Sequence, residues 1–565
     1  MQHQISKRAC DFNFFQTVRT AIAPRLLYLF ILKEIFMLTL QNISYTHPDK
    51  DLLFSNVYLT LNNKEKTALI GNNGSGKSTL LRIIAGELQP FSGQVKVETK
   101  AYYIPQIFGQ FDHLTIAEAL RVNDRLFALK EILSGNATEQ YFTTLEDDWT
   151  VEERCQEALN YWQLSELNLA QKLETLSGGQ KTKVFLAGIS VNKPDFILLD
   201  EPSNHLDIEA RNLLYNFIQS TSATLLIVSH DRKLLNLLNK VCELDSNDIT
   251  VYGGNYDFYA GQKEIEIKAL NDDLKSKEKA LRNAKEKERE AMERQNKLDS
   301  RGKKKQEKAG VARIMMNTLR NSAENSTSKL KSVHAEKISG IRKEYHDLRS
   351  SLPDIDKMKL ELDNSDMHKG KCLYSATGIN FSYQDKMIWE DDLNLELRSG
   401  ERILLKGVNG SGKTTLIKII LGKLEPFRGT FKRQLNKAIY VDQNYSLINN
   451  QLKVYEQAQF LNDSALEEHE IKIRLNRFLF GKESWEKPCS ALSGGEKMRL
   501  VLCCLTISNQ SPDLIILDEP TNNLDIQNTE IMIAAIREYQ GTLIVVSHDE
   551  HFLEQVNVER VIELF

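Results

Sequence analysis

Gly71-Asn-Asn-Gly-Ser-Gly-Lys-Ser78 decides the fold, and Gly407-Val-Asn-Gly-Ser-Gly-Lys-Thr414 repeats it. Both satisfy G-x-x-x-x-G-K-[ST], each after an apolar run (Thr67-Ala-Leu-Ile70; Arg402-Ile-Leu-Leu405) and before a helical one. Strand, phosphate-binding loop and helix are therefore predicted twice, and a repeat of this size makes two copies of one α/β domain the framework of the chain. Glycines let backbone N–H groups close on phosphate oxygens at a helix N-terminus, where the helix dipole favours negative charge. Lys77 and Lys413 are placed to bind the β and γ phosphates, and the hydroxyls of Ser78 and Thr414 to reach Mg²⁺. A single glycine turn before a helix is common; two in matching context are not.

Working outward, Phe196-Ile-Leu-Leu-Asp-Glu201 and Leu514-Ile-Ile-Leu-Asp-Glu519 are apolar runs too short for helices, each ending in paired carboxylates. They read as buried parallel strands that present Asp200 and Asp518 to Mg²⁺ at the carboxyl end of the sheet, where open α/β folds bind ligands. Glu201 and Glu519 stand one residue beyond, positioned to polarise an attacking water.

The remaining composition sets bounds. At 565 residues the chain is several times the usual domain of roughly 100 to 200 residues. With 41% hydrophobic residues, 27% charged residues and 11 prolines, it has the composition of ordinary globular protein. Its 7 cysteines are scattered without a C-x-x-C pair, which argues against a disulfide framework or a zinc site and for a reducing, cytoplasmic compartment. The apolar stretch from Ala21 to Phe36 is broken by Pro24, Arg25, Lys33 and Glu34, short of the roughly 20 apolar residues of a spanning helix. Met37-Leu-Thr-Leu then opens a strand, so residues 1–36 are read as an uncertain upstream extension. The net charge of -4 is uneven, because Arg294 to Lys343 holds 14 Lys or Arg against 4 Asp or Glu.

Leu176-Ser-Gly-Gly-Gln180 and Leu492-Ser-Gly-Gly-Glu496 resemble the signature motif of ATP-binding cassette ATPases, which is far more specific than a phosphate loop alone. In that family two cassettes sandwich two ATP molecules head to tail. The resemblance implies that Ser177, Gly178, Gly179 and Gln180 complete the site built on Lys413, and that Ser493, Gly494, Gly495 and Glu496 complete the one on Lys77. It carries nucleotide binding to Gly71, Asn72, Asn73, Gly74, Ser75, Gly76, Lys77, Ser78 and Thr79. In the second copy the same role falls to Gly407, Val408, Asn409, Gly410, Ser411, Gly412, Lys413, Thr414 and Thr415. Tyr45 and Tyr383 resemble the aromatic that stacks on adenine. Gln106 and Gln443 resemble the Q-loop glutamine that reaches the metal, Asp207 and Asp525 the D-loop, and His230 and His548 the switch histidine that senses the γ-phosphate. Ser203 stands where the second copy has Thr521, and Glu496 replaces the glutamine at Gln180; neither departure removes a motif, so both sites are expected to hydrolyse ATP.

Spacing between the copies locates two additions. The first copy has about 20 more residues than the second between its Q-loop and signature, placed near 126–151, where Gly135 and Asn136 suggest a loop or a small contact arm. Between the cassettes, Glu and Lys dominate. Ile267, Leu270, Leu274 and Leu281, then Leu330, Val333, Ile338, Ile341, Tyr345 and Leu348, recur at helical steps, predicting two antiparallel helices in a hairpin. Ser300-Arg-Gly-Lys-Lys-Lys305 is read as its turn. Arg301, Lys303, Lys304, Lys305, Lys308, Arg313 and Arg320 gather there as candidate RNA contacts, the last three on one face of the second helix.

Two cassettes joined by a basic hairpin resemble the ABC-F class, including Tyr252-Gly-Gly-Asn-Tyr-Asp-Phe-Tyr259 at the end of the first cassette. The resemblance implies a translation factor that binds the ribosome at the tRNA exit site, its hairpin directed toward the P-site tRNA and peptidyl-transferase centre; the long hairpin leans toward the antibiotic-resistance members. The expectation is thus an α/β chain with two P-loop ABC ATPase domains, 37–259 and 371–565, joined by an α-helical hairpin linker at 260–370. ATP and Mg²⁺ are its expected ligands, rRNA and P-site tRNA its partners, and a cytoplasmic monomer with intramolecular cassette pairing its state. A transporter ATPase gripping a separate membrane subunit is the main alternative, and a DNA-maintenance ATPase a weaker one.

Overall fold

The structure is a computed structural model describing residues 36–47, 52–107, 109–245, 248–308, 313–351, 370–383, 386–408, 410–463, 465–508, 512–522 and 524–564. The extension before Phe36 and Asn409 lie outside the described residues. The chain divides into two bodies, one holding both cassettes (Met1–Asp257 and Lys357–Phe565), the other spanning Phe258–Asp356.

Each cassette is built on a parallel sheet. In the first, the strand order is Tyr102–Ile104, Phe196–Asp200, Thr224–Val228, Lys66–Ile70 and Lys240–Leu244, with Ile249–Tyr252 added antiparallel at the edge. In the second it is Ala438–Val441, Leu514–Asp518, Thr542–Val546, Arg402–Gly407 and Arg560–Leu564, all parallel. Strands covered on both faces lose the polar alternation of half-exposed ones, and Phe196–Asp200 and Thr224–Val228 are buried at every residue. An antiparallel three-stranded sheet flanks each parallel one: Leu52–Asn62, Phe36–Thr46 and Ser92–Val97 in the first cassette, and Leu393–Arg398, Cys372–Asn380 and Arg428–Arg433 in the second. The helix after each phosphate loop, Lys77–Ile84 or Lys413–Ile420, packs between the two sheets through Leu80 and Leu81 or Leu416 and Ile417.

Of the loop or small contact arm expected at 126–151, the structure shows two short helices: most of Asn123–Leu133 and all of Glu139–Leu145 fall there, and residues 134–138 and 146–150 are irregular. The Phe127 and Tyr141 rings meet edge to face at 6.0 Å; Arg125 pairs with Asp148 at 3.0 Å and also donates to Asn192 Oδ1 of the domain.

The second body is formed by two helices, Tyr256–Lys308 of 53 residues and Arg313–Ser351 of 39 residues. At 1.5 Å per residue the first is about 80 Å long. The expected turn at 300–305 is corrected: the helix runs through Gly302 to Lys308, because one glycine costs only about 1 kcal/mol in a long helix of strong formers. Lys308 therefore ends the first helix and shares no face with Arg313 and Arg320, which begin the second. Arg301 is exposed, whereas the side chains of Lys303, Lys304, Lys305, Lys308, Arg313 and Arg320 lie outside the described residues. Ile267, Leu270, Leu274 and Leu281 are all partly buried, as are Ile341, Tyr345 and Leu348; Ile338 is buried, and Val333 is exposed. Lys277 and Glu344 pair across the helices.

Candidate active site

The loops after the two central strands are shaped by glycine. Gly76 and Gly412 adopt φ of 96° and 87° at the residue that caps each helix. A Cβ at Gly76 would stand 2.8 Å from Leu53 and Phe54, and one at Gly412 would stand 2.5 Å from Ile388, so any side chain would strain both backbone and packing. Trp389 Nε1 donates to the Ser411 carbonyl at 3.0 Å, bracing the second loop from the flanking sheet. Lys77 Nζ donates to the carbonyls of Gly71 and Asn72 at 2.7 and 3.1 Å, and Lys413 Nζ to those of Gly407 and Val408 at 2.7 and 3.0 Å. Burial lowers the pKa of both ammonium groups, while nearby carboxylates oppose that shift. Ser75 Oγ and Ser411 Oγ are buried without a hydrogen-bond partner, as donors meant for an oxygen-rich ligand would be.

Asp200 and Asp518 end their strands beside these loops. Asp200 accepts from Tyr103 at 3.4 Å and bonds Ser78, and Asp518 accepts from Tyr440 at 2.7 Å. Burial raises both carboxyls above the ordinary carboxylate range. Asp200 Oδ1 has no hydrogen-bond partner. A hydroxyl and an unpartnered carboxylate oxygen at the mouth of a phosphate loop are hard oxygen donors, so these residues fit Mg²⁺.

Glu201 and Glu519 follow in left-handed conformations, φ 51° and 49°, held where their amides donate to Val228 and Val546 at 2.9 and 2.8 Å. The turn aims each carboxyl at a histidine: His230 Nε2 stands 3.2 Å from Glu201 Oε1, and His548 Nε2 stands 3.3 Å from Glu519 Oε1. Burial pushes His230 down to about 3 and His548 to about 4, so both imidazoles are neutral at pH 7. Burial raises Glu519 to about 7 and raises Glu201 as well, Asp200 adding to the effect. Carboxyls poised this near neutrality are suited to take a proton from water.

Several residues join the cassettes. Asp525 accepts from the Asn73 amide of the first phosphate loop at 2.8 Å and is held by Asn528 Nδ2 at 2.7 Å. Asn528 in turn packs on Gly495, where a Cβ would come within 2.5 Å of it. Asn528 thereby connects the second signature segment to Asp525, the residue that bonds the first phosphate loop. Asp207 caps its own helix through Ala210 N at 2.9 Å, and its charge acts on Lys413. Ser177 and Ser493 cap helices Gly178–Asn192 and Gly494–Ile507, with Gln180 and Glu496 closing reciprocal capping boxes. No bond from Ser177 to the Lys413 loop is seen among the described residues.

Other expected residues are more peripheral. Tyr45 is half-buried against Phe54, ring centroids 6.2 Å apart, whereas Tyr383 is exposed and meets Phe381 edge to face at 5.0 Å. Gln106 and Gln443 each lie two residues past a strand that pairs with the carboxylate strand, so they leave the sheet on the same edge as Asp200 and Asp518. Thr79 and Thr415 lie in the first turn of their helices. Tyr103 and Tyr440 were not anticipated, although both occupy the third position before a Q-loop glutamine.

An ion-pair seam was also missed. Arg232 pairs with Glu530 and reaches His551 Nε2 at 2.8 Å, and Lys233 lies 3.5 Å from Glu550. A cavity of about 430 Å³ opens beside the seam, lined by Glu201, Arg211 and His230 from one cassette and His548, Glu550 and His551 from the other. Matching positions after each Ser-His-Asp carry Arg-Lys in one copy and Glu-His in the other, which was the available signal.

The sequence profile described as ABC transporter matches residues 54–204 and 391–522, one span in each cassette. ABC transporter F family member 5 of Arabidopsis thaliana is 30% identical over 529 residues, covering 88% of this chain and 71% of that protein. The chain belongs to the ATP-binding cassette family, as an ABC-F type protein. Putative ATP-binding protein YdiF of Bacillus subtilis (strain 168) is 31% identical over 541 residues, covering 91% of this chain and 78% of that protein. The fold is also similar to a solved complex of archaeal ribosomal stalk protein aP1 with ribosome recycling factor aABCE1: TM-score 0.53, 18% identity, and 92% and 87% of the two chains covered. At that identity the likeness concerns fold. Like its family, this ABC-F protein binds ATP and is an ATPase. Among the described residues no helix is long and apolar enough to cross a membrane.

Proposed function

We propose that this ABC-F protein is a translation factor whose ATP-driven cassette closure controls binding to the ribosome near the tRNA exit site, with the helical pair directed to rRNA and the P-site tRNA. The observation that carries the reading is the concentration of charge in the linker, 14 basic against 4 acidic residues from Arg294 to Lys343 in a chain of net charge -4. A charged spacer needs no such excess where two long helices connect; RNA phosphates supply a reason for it. The reading includes no DNA and no stable membrane partner, and a protective role against a ribosome-targeting antibiotic is its finer form.

In the reaction, Lys77 and Lys413 neutralise phosphate charge, and the loop amides orient it. Ser78, Asp200 and Gln106, with Thr414, Asp518 and Gln443 in the second site, would hold Mg²⁺, which when bound spreads the charge developing on the transferred phosphoryl group. Glu201 and Glu519 orient water and accept its proton at their carboxylate oxygens. His230 and His548, neutral and 3.2 and 3.3 Å from those oxygens, keep the carboxyls aimed and sense the phosphate position. Asn73 and Asp525 then report occupancy of one cassette to the other through their 2.8 Å bond.

Binding to ribosomes across a salt titration tests the RNA interface. Neutralising Lys303, Lys304, Lys305 and Lys308 lowers the logarithmic salt slope by about three, at roughly 0.7 to 0.9 for each phosphate no longer neutralised. ATP hydrolysis without ribosomes survives, since those residues lie outside the cassettes. An unchanged slope removes the linker tip from the RNA interface.

A further inference from the structure

The two ATP sites look alike in their motifs, yet one side chain treats them differently. Arg211 lies four residues beyond the helix cap Asp207, and the corresponding position beyond Asp525 is Thr529. The Arg211 side chain is 13% exposed. Its Nε donates to the Leu206 carbonyl at 3.1 Å within its own cassette, while Nη1 crosses the interface and donates to the His548 carbonyl at 3.4 Å. Nη1 is also 3.9 Å from Asp231, the residue after His230, so the guanidinium lies between the two histidine turns. Thr529 does nothing comparable: its short side chain donates to the Asp525 carbonyl in its own helix at 3.0 Å.

We propose that Arg211 is a positioning residue for hydrolysis at the site built on Lys413, bracing the Glu519–His548 pair from the opposite cassette; among the described residues the matching Thr529 makes no such bond to the His230 carbonyl. Two observations explain how one hydrogen bond reaches both members of the pair. The His548 carbonyl belongs to the turn between strand Thr542–Val546 and helix Glu550–Gln555, and Glu519 is itself fastened to that strand through Val546. Holding the turn therefore holds the histidine against the carboxyl. The site on Lys413 thus receives a hydrogen bond from the first cassette directly at its histidine turn.

The test measures kcat and KM for ATP in the intact chain with Glu201→Gln, where turnover comes from the site on Lys413, and with Glu519→Gln, where it comes from the site on Lys77. In the first background Arg211→Met lowers kcat about tenfold through misplacement of the pair and leaves KM within about twofold. In the second it leaves kcat within about twofold. Arg211→Lys, which can still donate to the His548 carbonyl, restores part of the lost kcat, and Thr529→Ala changes kcat in neither background. An unchanged kcat for Arg211→Met in the Glu201→Gln chain, an equal loss in both backgrounds, or a loss that Arg211→Lys does not relieve would each reduce Arg211 to a packing residue and overturn the proposal.

Discussion

Changing Glu201→Gln and Glu519→Gln together abolishes steady-state ATP turnover while ATP binding persists. The expected loss is roughly 10² to 10⁴ in rate, the usual contribution of a positioned proton acceptor. Glutamine keeps the shape of each side chain and its left-handed backbone, so the phosphate loops, Lys77, Lys413 and the Asp525–Asn73 bond retain their geometry. What disappears is the oxygen that takes the water's proton. The native protein carries a related signature in pH. A carboxyl raised by burial acts only after losing its proton, so activity is present above its folded pKa and is lost as pH falls through it. For Glu519 that fall is centred near 7, well above the ordinary value of 4.5. Phosphate release from the double variant at near-native rate would remove both residues from their assigned role.

The second large effect separates binding from hydrolysis on the ribosome. In ATP, the Glu201→Gln/Glu519→Gln chain sediments with ribosomes and inhibits translation, whereas Lys77→Ala/Lys413→Ala does not accumulate on them. The first variant forms the ATP-held state and cannot leave it. The second loses the charges that secure the phosphates and so loses the differential affinity that drives closure. Occupancies differing by at least about tenfold correspond to roughly 1.4 kcal/mol of bias between open and closed states, modest for a nucleotide switch. Equal occupancy of ribosomes by the two variants would count against nucleotide control of binding.

What was legible in the sequence was local. A phosphate loop, a buried strand ending in Asp-Glu and a capped signature helix each occupy fewer than about ten residues, and their chemistry restricts residue types so tightly that spacing alone identifies them. The same confinement explains the errors. Gly302 was read as a break because glycine often punctuates structure, but the helix continues six residues past it, sustained by neighbours on both sides. Gly135 and Asn136 do sit in a connection, yet the residues around them are helical, where Phe127 and Tyr141 pack together. Arg211, Arg232 and Glu530 act across hundreds of residues, and no periodicity in one segment reports a charge placed opposite it by the fold.

The ion-pair seam also bears on which halves can meet. Two first cassettes face to face would oppose Lys233 to Arg232 and offer Asn212 where Glu530 stands, leaving a cluster of cations without a counterpart. Two second cassettes would oppose Glu550 to Glu530. Partly exposed ion pairs such as these add little to stability, typically about 0 to 1 kcal/mol, but repulsion in each mismatched pairing widens the gap between right and wrong partners. Fusion on one chain supplies proximity, and proximity alone does not stop a half from docking on a neighbouring molecule. In a cell crowded with other cassette proteins, opposite charges at corresponding positions make the union of unlike halves the favoured one and keep the machine from being assembled out of borrowed parts.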